Sequence, residues 1–185
     1  GNLYVWDRDR GDLLGVSDNY IPVEETRGGE AGANLIQGGL SGTVWSPGAY
    51  SFETGLLYST NRRMPGYFEP RETERSGDQY GNVAAVDPVT GDVVWRSRTE
   101  RPMAGGALAT AGGLVFAGRT SGWFDAYDAE TGERRWSFRT GAGCNSGPVT
   151  YRVGGRQYVA VACGGHGLLD PQSGDALVAF SLGPD

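Results

Sequence analysis

Few side chains of this chain have the type and spacing to do chemistry. His166 is the one histidine among 185 residues, and an imidazole can serve as an acid, a base or a ligand. No companion ligand stands beside it in Gly164-Gly165-His166-Gly167, so the sequence favours a solvated loop histidine. Cys144 and Cys163 lack metal-ligand spacing, and there is no CxxCH haem-attachment motif. None of these residues forms a catalytic constellation.

The arginines near the middle of the chain are the other candidates. Arg62-Arg63, Arg71 and Arg75 stand among acidic residues in a polar stretch from Asn61 to Gln79. We interpret this stretch as a solvated loop rather than an anion site. A second irregular segment, Asp18 to Gly42, holds Pro22 and several glycines and is also expected to be a long loop.

Composition indicates which elements must position these side chains. The chain has 32 Gly, 9 Pro, 5 Trp and 9 Tyr, which is typical of many short strands joined by tight turns. The formal charge of -6 argues against a nucleic-acid partner. No segment approaches the roughly 20 apolar residues that span a bilayer, so no membrane span is expected. Gly1 begins directly in strand-like sequence, and we expect the true start to lie upstream.

An internal repeat organises the chain. Asp87, Thr90-Gly91 and Trp95 recur as Asp128, Thr131-Gly132 and Trp136. A period of about 40 residues with a β composition predicts β-propeller blades. Weaker copies occur at 5–12, 51–58 and 170–180, so we predict an all-β chain of about four four-stranded antiparallel blades.

The residues of each copy predict a specific turn and a specific packing contact. Asp87 should begin a turn by accepting backbone N–H groups, and Gly91 should take the left-handed conformation before the next strand. Trp95 should lie between neighbouring sheets while its indole N–H binds a carbonyl. These residues therefore predict blade geometry rather than a calcium loop.

Several longer runs resemble one known family, the PQQ-dependent (quinoprotein) alcohol dehydrogenases, in their C-terminal blades. The resemblance covers nearly the whole chain and is most specific from Gly105 to Val161. Its motifs are Leu3–Arg8 with Gly11, Trp45-Ser46-Pro47, Thr54–Tyr58, Gly105–Gly118, Gly122–Glu133, Trp136-Ser137-Phe138, Gly147–Tyr151 and Gly155–Val161.

The resemblance implies that residues 1–185 are a partial domain of an eight-bladed propeller, with the N-terminal blades missing. It implies PQQ near the axis, held by calcium, and oxidation of an alcohol or sugar by hydride transfer to the quinone. Electrons would pass to a separate acceptor such as a cytochrome c, in the periplasm or outside the cell. The family's catalytic Asp and calcium ligands belong to preceding blades, so no catalytic or metal-binding residue is assigned here.

Three places align with the family's cofactor pocket. In Gly42-Thr43-Val44-Trp45, Val44 replaces an Asn of many relatives, while Trp45 is kept either for the cofactor or for blade packing. Met103 stands where several relatives have Trp. Cys144, Asn145 and Ser146 form the third place and could meet the cofactor rim.

Three alternatives stay open. Cys144 and Cys163 are either bonded across a hairpin that turns at Gly154-Gly155 or unpaired. The complete protein is either the dehydrogenase or a non-catalytic propeller that serves as a scaffold or binding platform. The missing blades come either from the same chain or from a second chain that completes the propeller.

Overall fold

A computed structural model of the chain describes residues 2–18, 34–36, 41–43, 45–64, 66–68, 73–75, 78–167, 169 and 172–183. For 34–36, 66–68 and 73–75 only the backbone is considered. Within these ranges the chain forms strands and turns and no helix. The strands are β1 (Tyr4–Trp6), β2 (Leu13–Val16), β3 (Asn34–Ile36), β4 (Ala49–Tyr50), β5 (Leu57–Arg63), β6 (Gly66–Phe68), β7 (Thr73–Arg75), β8 (Tyr80–Val86), β9 (Val93–Thr99), β10 (Ala107–Thr110), β11 (Leu114–Arg119), β12 (Trp123–Asp128), β13 (Arg134–Arg139), β14 (Val149–Val153), β15 (Arg156–Cys163) and β16 (Ala176–Phe180).

Every strand pair is antiparallel, and the strands form successive sheets along the chain. Sheet I is β1-β2, sheet II is β4-β5-β8-β9, sheet III is β10-β11-β12-β13 and sheet IV is β14-β15-β16. The predicted all-β propeller class is confirmed. In the described residues, sheets II and III have the full four strands of a blade, whereas sheet IV has three and sheet I two.

The repeated turns have the predicted construction. Asp87 Oδ1 accepts hydrogen bonds from the N–H groups two and three residues later, at 2.7 and 3.2 Å. Gly91 has a φ of 84°, a conformation that glycine adopts without steric cost. The turns that begin at Asp7 and Asp128 repeat both features. Each turn joins the last two strands of one sheet.

Trp95 fills the interface between sheets II and III, as predicted. The residue is 8% exposed, and its Nε1–H donates to the Ala129 carbonyl at 2.9 Å. A Cβ at Gly132 would lie 2.5 Å from the indole ring, so only glycine lets this turn rest on the ring. The interface between sheets I and II is different because Gly15 stands at the tryptophan position. There Gly91 approaches the backbone of Ser17 directly.

The apolar core is divided among these interfaces. Tyr58 and Val115 belong to the cluster between sheets II and III, and Phe124 and Val161 to the cluster between sheets III and IV. Each sheet therefore buries a face against its neighbour along the chain, as stacked blades do.

Two expectations were wrong. The expected loops Asp18–Gly42 and Asn61–Gln79 contain β3, β6 and β7, which pair as a small antiparallel sheet in the order β3-β6-β7. Their short polar segments satisfy backbone groups by pairing with each other, which composition does not reveal.

The same polar stretch contains two arginines whose side chains are buried. Arg62 and Arg63 end β5 and are 3% and 8% exposed, so they are not solvated loop residues. The side chains of Arg71 and Arg75 lie outside the described residues.

The weak repeat copy at 170–180 falls within sheet IV, where β15 and β16 pair as antiparallel neighbours, and its first two residues lie outside the described residues. Its described residues 172–175 lie in the connection between β15 and β16. The N–H of Gly174 donates to the Gly164 carbonyl at 3.1 Å, so this turn folds back on the end of β15.

Candidate functional site

Three loops, which we call the lead-in loops, precede the first strands of sheets II, III and IV at residues 41–47, 101–106 and 140–148. The Ser46 hydroxyl donates to the Ala104 carbonyl at 3.1 Å. The N–H of Gly106 donates to the Ser146 carbonyl at 3.3 Å. The three places identified in the sequence therefore belong to equivalent loops of successive sheets that are bonded to one another.

Glycines allow the lead-in loops to approach this closely. A Cβ at Gly106 would lie 2.5 Å from Cγ of Pro47, and one at Gly105 would lie 2.8 Å from the Cys144 carbonyl oxygen. Any side chain at these positions would force the loops apart. The Gly105-Gly106 pair thus fixes the spacing of the cluster.

A disulfide joins Cys144 to Cys163 and settles the open pairing in favour of the bonded form. Both cysteines are fully buried. The bond ties the third lead-in loop to the end of β15. Ser146 reinforces this link, because its hydroxyl is 3.1 Å from both the N–H and the carbonyl oxygen of Ala162.

Asn145 lies between these two anchors and has an unsatisfied side chain. Its carboxamide oxygen and nitrogen are both buried, and neither has a hydrogen-bond partner among the described residues. Leaving a buried polar group without a partner costs about 1–3 kcal/mol, and such groups are rare in folded proteins. Both atoms are closed off from solvent in this structure, and the described residues leave them without a partner.

Trp45 projects from the first lead-in loop and is 62% exposed. The guanidinium carbon of Arg62 lies 4.9 Å from the centre of its ring. The ring of His166 is stacked with it at a centroid separation of 6.3 Å and an interplanar angle of 14°. Trp45 is not wedged between two of the described sheets as Trp95 is, and its role in the cofactor site or in blade packing stays a prediction.

His166 lies on a loop, as expected, but it is partly buried and its ring stacks beside that of Trp45. The contact joins two loops far apart in sequence, and no local pattern signals it. Gly165, beside it, donates its N–H to the Gly143 carbonyl at 3.0 Å. His166 is thus placed at the same cluster as the third lead-in loop.

Met103 occupies a different environment. It is fully buried in the core between sheets II and III, and a Cβ at Gly81 would lie 2.6 Å from its Cγ. Its contact with a cofactor stays a prediction. Val44 lies outside the described residues.

A buried polar network supports the first lead-in loop. The Thr43 hydroxyl donates to Asn61 Oδ1 at 3.0 Å, and Asn61 Nδ2 donates to Asn82 Oδ1 at 3.0 Å. Burial lowers the pKa of the neighbouring Arg62 guanidinium. Sequence reasoning missed this network, since Asn61 and Arg62 lie in the stretch that was interpreted as a loop and Asn82 lies in β8.

A second charged cluster lies within sheet III, away from the disulfide. Arg119 forms an ion pair with the buried Asp125 at 2.6 Å and with Glu100 at 2.9 Å. Burial, together with the Asp125 carboxylate, raises the pKa of Tyr127, whose hydroxyl donates to Asp125 at 3.0 Å. Burial opposes ionisation of Glu100, but hydrogen bonds from Ser121 and the backbone, together with Arg119, lower its pKa. The charges of this cluster pair with one another, and the cluster serves the blade.

Among the described residues, no group of three or more His, Cys, Asp or Glu side chains is arranged to hold a metal ion. The same part of the chain contains no helix long and apolar enough to cross a membrane.

Comparison with known proteins gives consistent matches. The profile of the family described as "Glucose/ethanol/alcohol dehydrogenase, beta-propeller domain" matches residues 79–159. The quinoprotein ethanol dehydrogenase of Pseudomonas aeruginosa is 38% identical over 74% of this chain and 24% of its own length. The lupanine 17-hydroxylase [cytochrome c] of a Pseudomonas species is 31% identical over 99% of this chain and 33% of its own.

A solved structure shares the fold as well. The crystal structure of the quinohemoprotein alcohol dehydrogenase of Comamonas testosteroni has a TM-score of 0.79 and 28% identity, over 98% of this chain and 34% of that one. The chain spans about a quarter to a third of the length of the relatives it matches.

Proposed function

Because the chain is a quinoprotein alcohol dehydrogenase-like β-propeller in sequence and in fold, we propose that the complete protein is a PQQ-dependent dehydrogenase that oxidises an alcohol or a sugar. The observation that carries this proposal is the similarity of the chain, in sequence and in fold, to quinoprotein alcohol dehydrogenases. Within the loop cluster, the carboxamide nitrogen of Asn145 would donate hydrogen bonds to the carbonyl or carboxylate oxygens of a quinone.

The residues present fit such a group. Asn145 offers both a donor and an acceptor, and Trp45 offers an exposed aromatic face. Cys144 and Ser146 hold the backbone on either side of Asn145, through the disulfide and the bonds to Ala162. Val44 and Met103 complete the proposed wall of the pocket. The role of this chain is to bind and orient the cofactor.

When bound, the quinone supplies the chemistry by accepting a hydride from the substrate carbon. We propose calcium as the accompanying metal ion, with its ligands and the carboxylate base provided by blades beyond this chain. The lead-in loops would contribute the wall of the pocket that faces those blades.

The partners follow from surfaces at the two ends of the sheet stack. Trp6 and Leu14 of sheet I, and Val149, Val153 and Leu177 of sheet IV, are exposed apolar side chains. Contiguous exposed apolar surface favours association. We propose that further blades, from the same chain or a second one, cover these faces. The name of the lupanine relative includes cytochrome c, which supports a cytochrome c as the separate electron acceptor.

We propose a periplasmic or secreted location. The disulfide between Cys144 and Cys163 supports it, since structural disulfides persist mainly in oxidising compartments.

The test uses the full-length protein freed of cofactor. Adding PQQ with calcium should produce reduction of an artificial electron-accepting dye in the presence of primary alcohols or sugars, and omitting PQQ should abolish it. If PQQ neither binds nor supports oxidation of any alcohol or sugar, the dehydrogenase proposal fails and the scaffold alternative is favoured.

A further inference from the structure

Trp45 is an unusual residue for its place in the fold. Its neighbours in the lead-in loops are tied down by backbone hydrogen bonds, yet 62% of its surface is exposed. Large aromatic surface left open beside polar groups is characteristic of binding sites. The ring is nevertheless held in one orientation by contacts with two other residues.

The first contact is with a cation. Arg62 is almost fully buried, and its guanidinium lies over the Trp45 ring at 4.9 Å. A cation near a ring face is attracted to its π-electrons, which fixes the ring.

The second contact is with His166, whose ring is stacked with Trp45 at 14°. The loop that carries His166 is itself well anchored. Cys163 begins it with a disulfide, and Gly165 bonds Gly143 through its N–H. Gly165 has a φ of 76°, and a Cβ there would overlap with the Gln172 carbonyl, so the turn is closed around glycine. The turn at Gly165 therefore holds His166 beside Trp45.

We propose that His166 is a positioning residue for the cofactor site: by stacking on Trp45, with Arg62 beside them, it holds an aromatic platform that binds the planar, anionic quinone. This inference rests on the proposed function. It adds a residue that the family resemblance does not assign, and it makes the imidazole ring, rather than proton transfer, the contribution of His166.

The experiment is a titration of PQQ with calcium into the cofactor-free, full-length protein, followed by quenching of tryptophan fluorescence. We expect Trp45→Ala to raise the Kd for PQQ about tenfold and His166→Ala about threefold to tenfold, as expected for loss of an aromatic contact. His166→Phe keeps a ring that can stack and should stay within about twofold of the wild type. Phe52→Ala, which removes a 91% exposed ring at the turn after β4, is the matched control and should leave the Kd unchanged.

The outcomes separate this inference from the proposed function. If the wild-type protein does not bind PQQ, the proposed function and the platform fall together. If the wild-type protein binds PQQ and Trp45→Ala weakens binding, but His166→Ala behaves like Phe52→Ala, only the positioning role is overturned. Urea unfolding of His166→Ala should match the wild type, and recovery of binding in His166→Phe separates ring positioning from general loss of structure.

Discussion

The interface at Trp95 and the cluster of lead-in loops both bring successive sheets together, but they do so in opposite ways. Trp95 is buried, and its N–H is bonded to the Ala129 carbonyl. In the loops, Trp45 is exposed and the Asn145 carboxamide is buried without a partner. At the interface, a large aromatic ring is buried and its polar group is bonded, as in a stable fold. In the loops, an aromatic ring is exposed and a polar group is buried without a partner. Such local violations are expected where a protein is shaped for a ligand rather than for stability.

The largest expected effect comes from removing the centre of the interface. Trp95→Ala should lower the free energy of unfolding by about 3–5 kcal/mol, because it creates a cavity and removes a buried hydrogen bond. Urea unfolding measures this loss, with the exposed Phe52→Ala as the control expected within about 0.5 kcal/mol of the wild type. Equal losses in the two variants would mean that Trp95 is not the anchor of the interface.

A smaller effect should come from the glycine that rests on Trp95. Gly132→Ala should cost about 2–3 kcal/mol, because the new Cβ meets the indole ring and φ is 73°. Gly11→Ala is the matched control, since φ there is 72° but no heavy atom lies within 4 Å of the new Cβ. It should cost about 1 kcal/mol, the price of the backbone conformation alone. Thermal or urea unfolding measures the loss of stability in both variants. Equal losses would contradict the contact between the Gly132 turn and the Trp95 ring.

A third variant should change stability least, and it should stabilise the protein where the first two destabilise it. This difference in sign makes it the most direct test of the comparison between the Trp95 interface and the lead-in loops. Asn145→Leu replaces an unsatisfied buried amide with an apolar group of similar size, so it should raise the free energy of unfolding by about 1 kcal/mol. The same variant should weaken PQQ binding about tenfold, since it removes a polar contact with the ligand. A loss of stability with unchanged PQQ binding would show that the carboxamide serves the fold.

The sequence predicted the interface between sheets II and III well, because the residues of the repeat determine the geometry of its turn. The turn at Asp128 and the wedge of Trp95 follow from residues a few positions apart, and both are present. The small sheet β3-β6-β7 could not be predicted, since its strands are three residues each and β3 pairs with a strand far along the chain. Strands of this length have no periodicity to detect.

The loop cluster was predicted only in part. Motif resemblance identified Trp45, Asn145 and Ser146, and the structure brings their loops together. The sequence did not reveal that Arg62 is buried or that His166 stacks on Trp45. Both facts depend on contacts between distant loops, which a single sequence does not encode locally. The disulfide stayed open for the same reason, because the pairing depends on the register of β14 and β15.

The Cys144–Cys163 bond has a consequence for the redox behaviour of the folded chain. A disulfide is itself a two-electron acceptor, and a thiolate reduces it only by reaching one of its sulfur atoms. Here both cysteines are fully enclosed, and Gly118 leaves just enough room for the Cys144 backbone to close over them. An external reductant can therefore attack the bond only when this part of the sheet stack opens, so the crosslink should survive in the folded protein under conditions that reduce exposed disulfides.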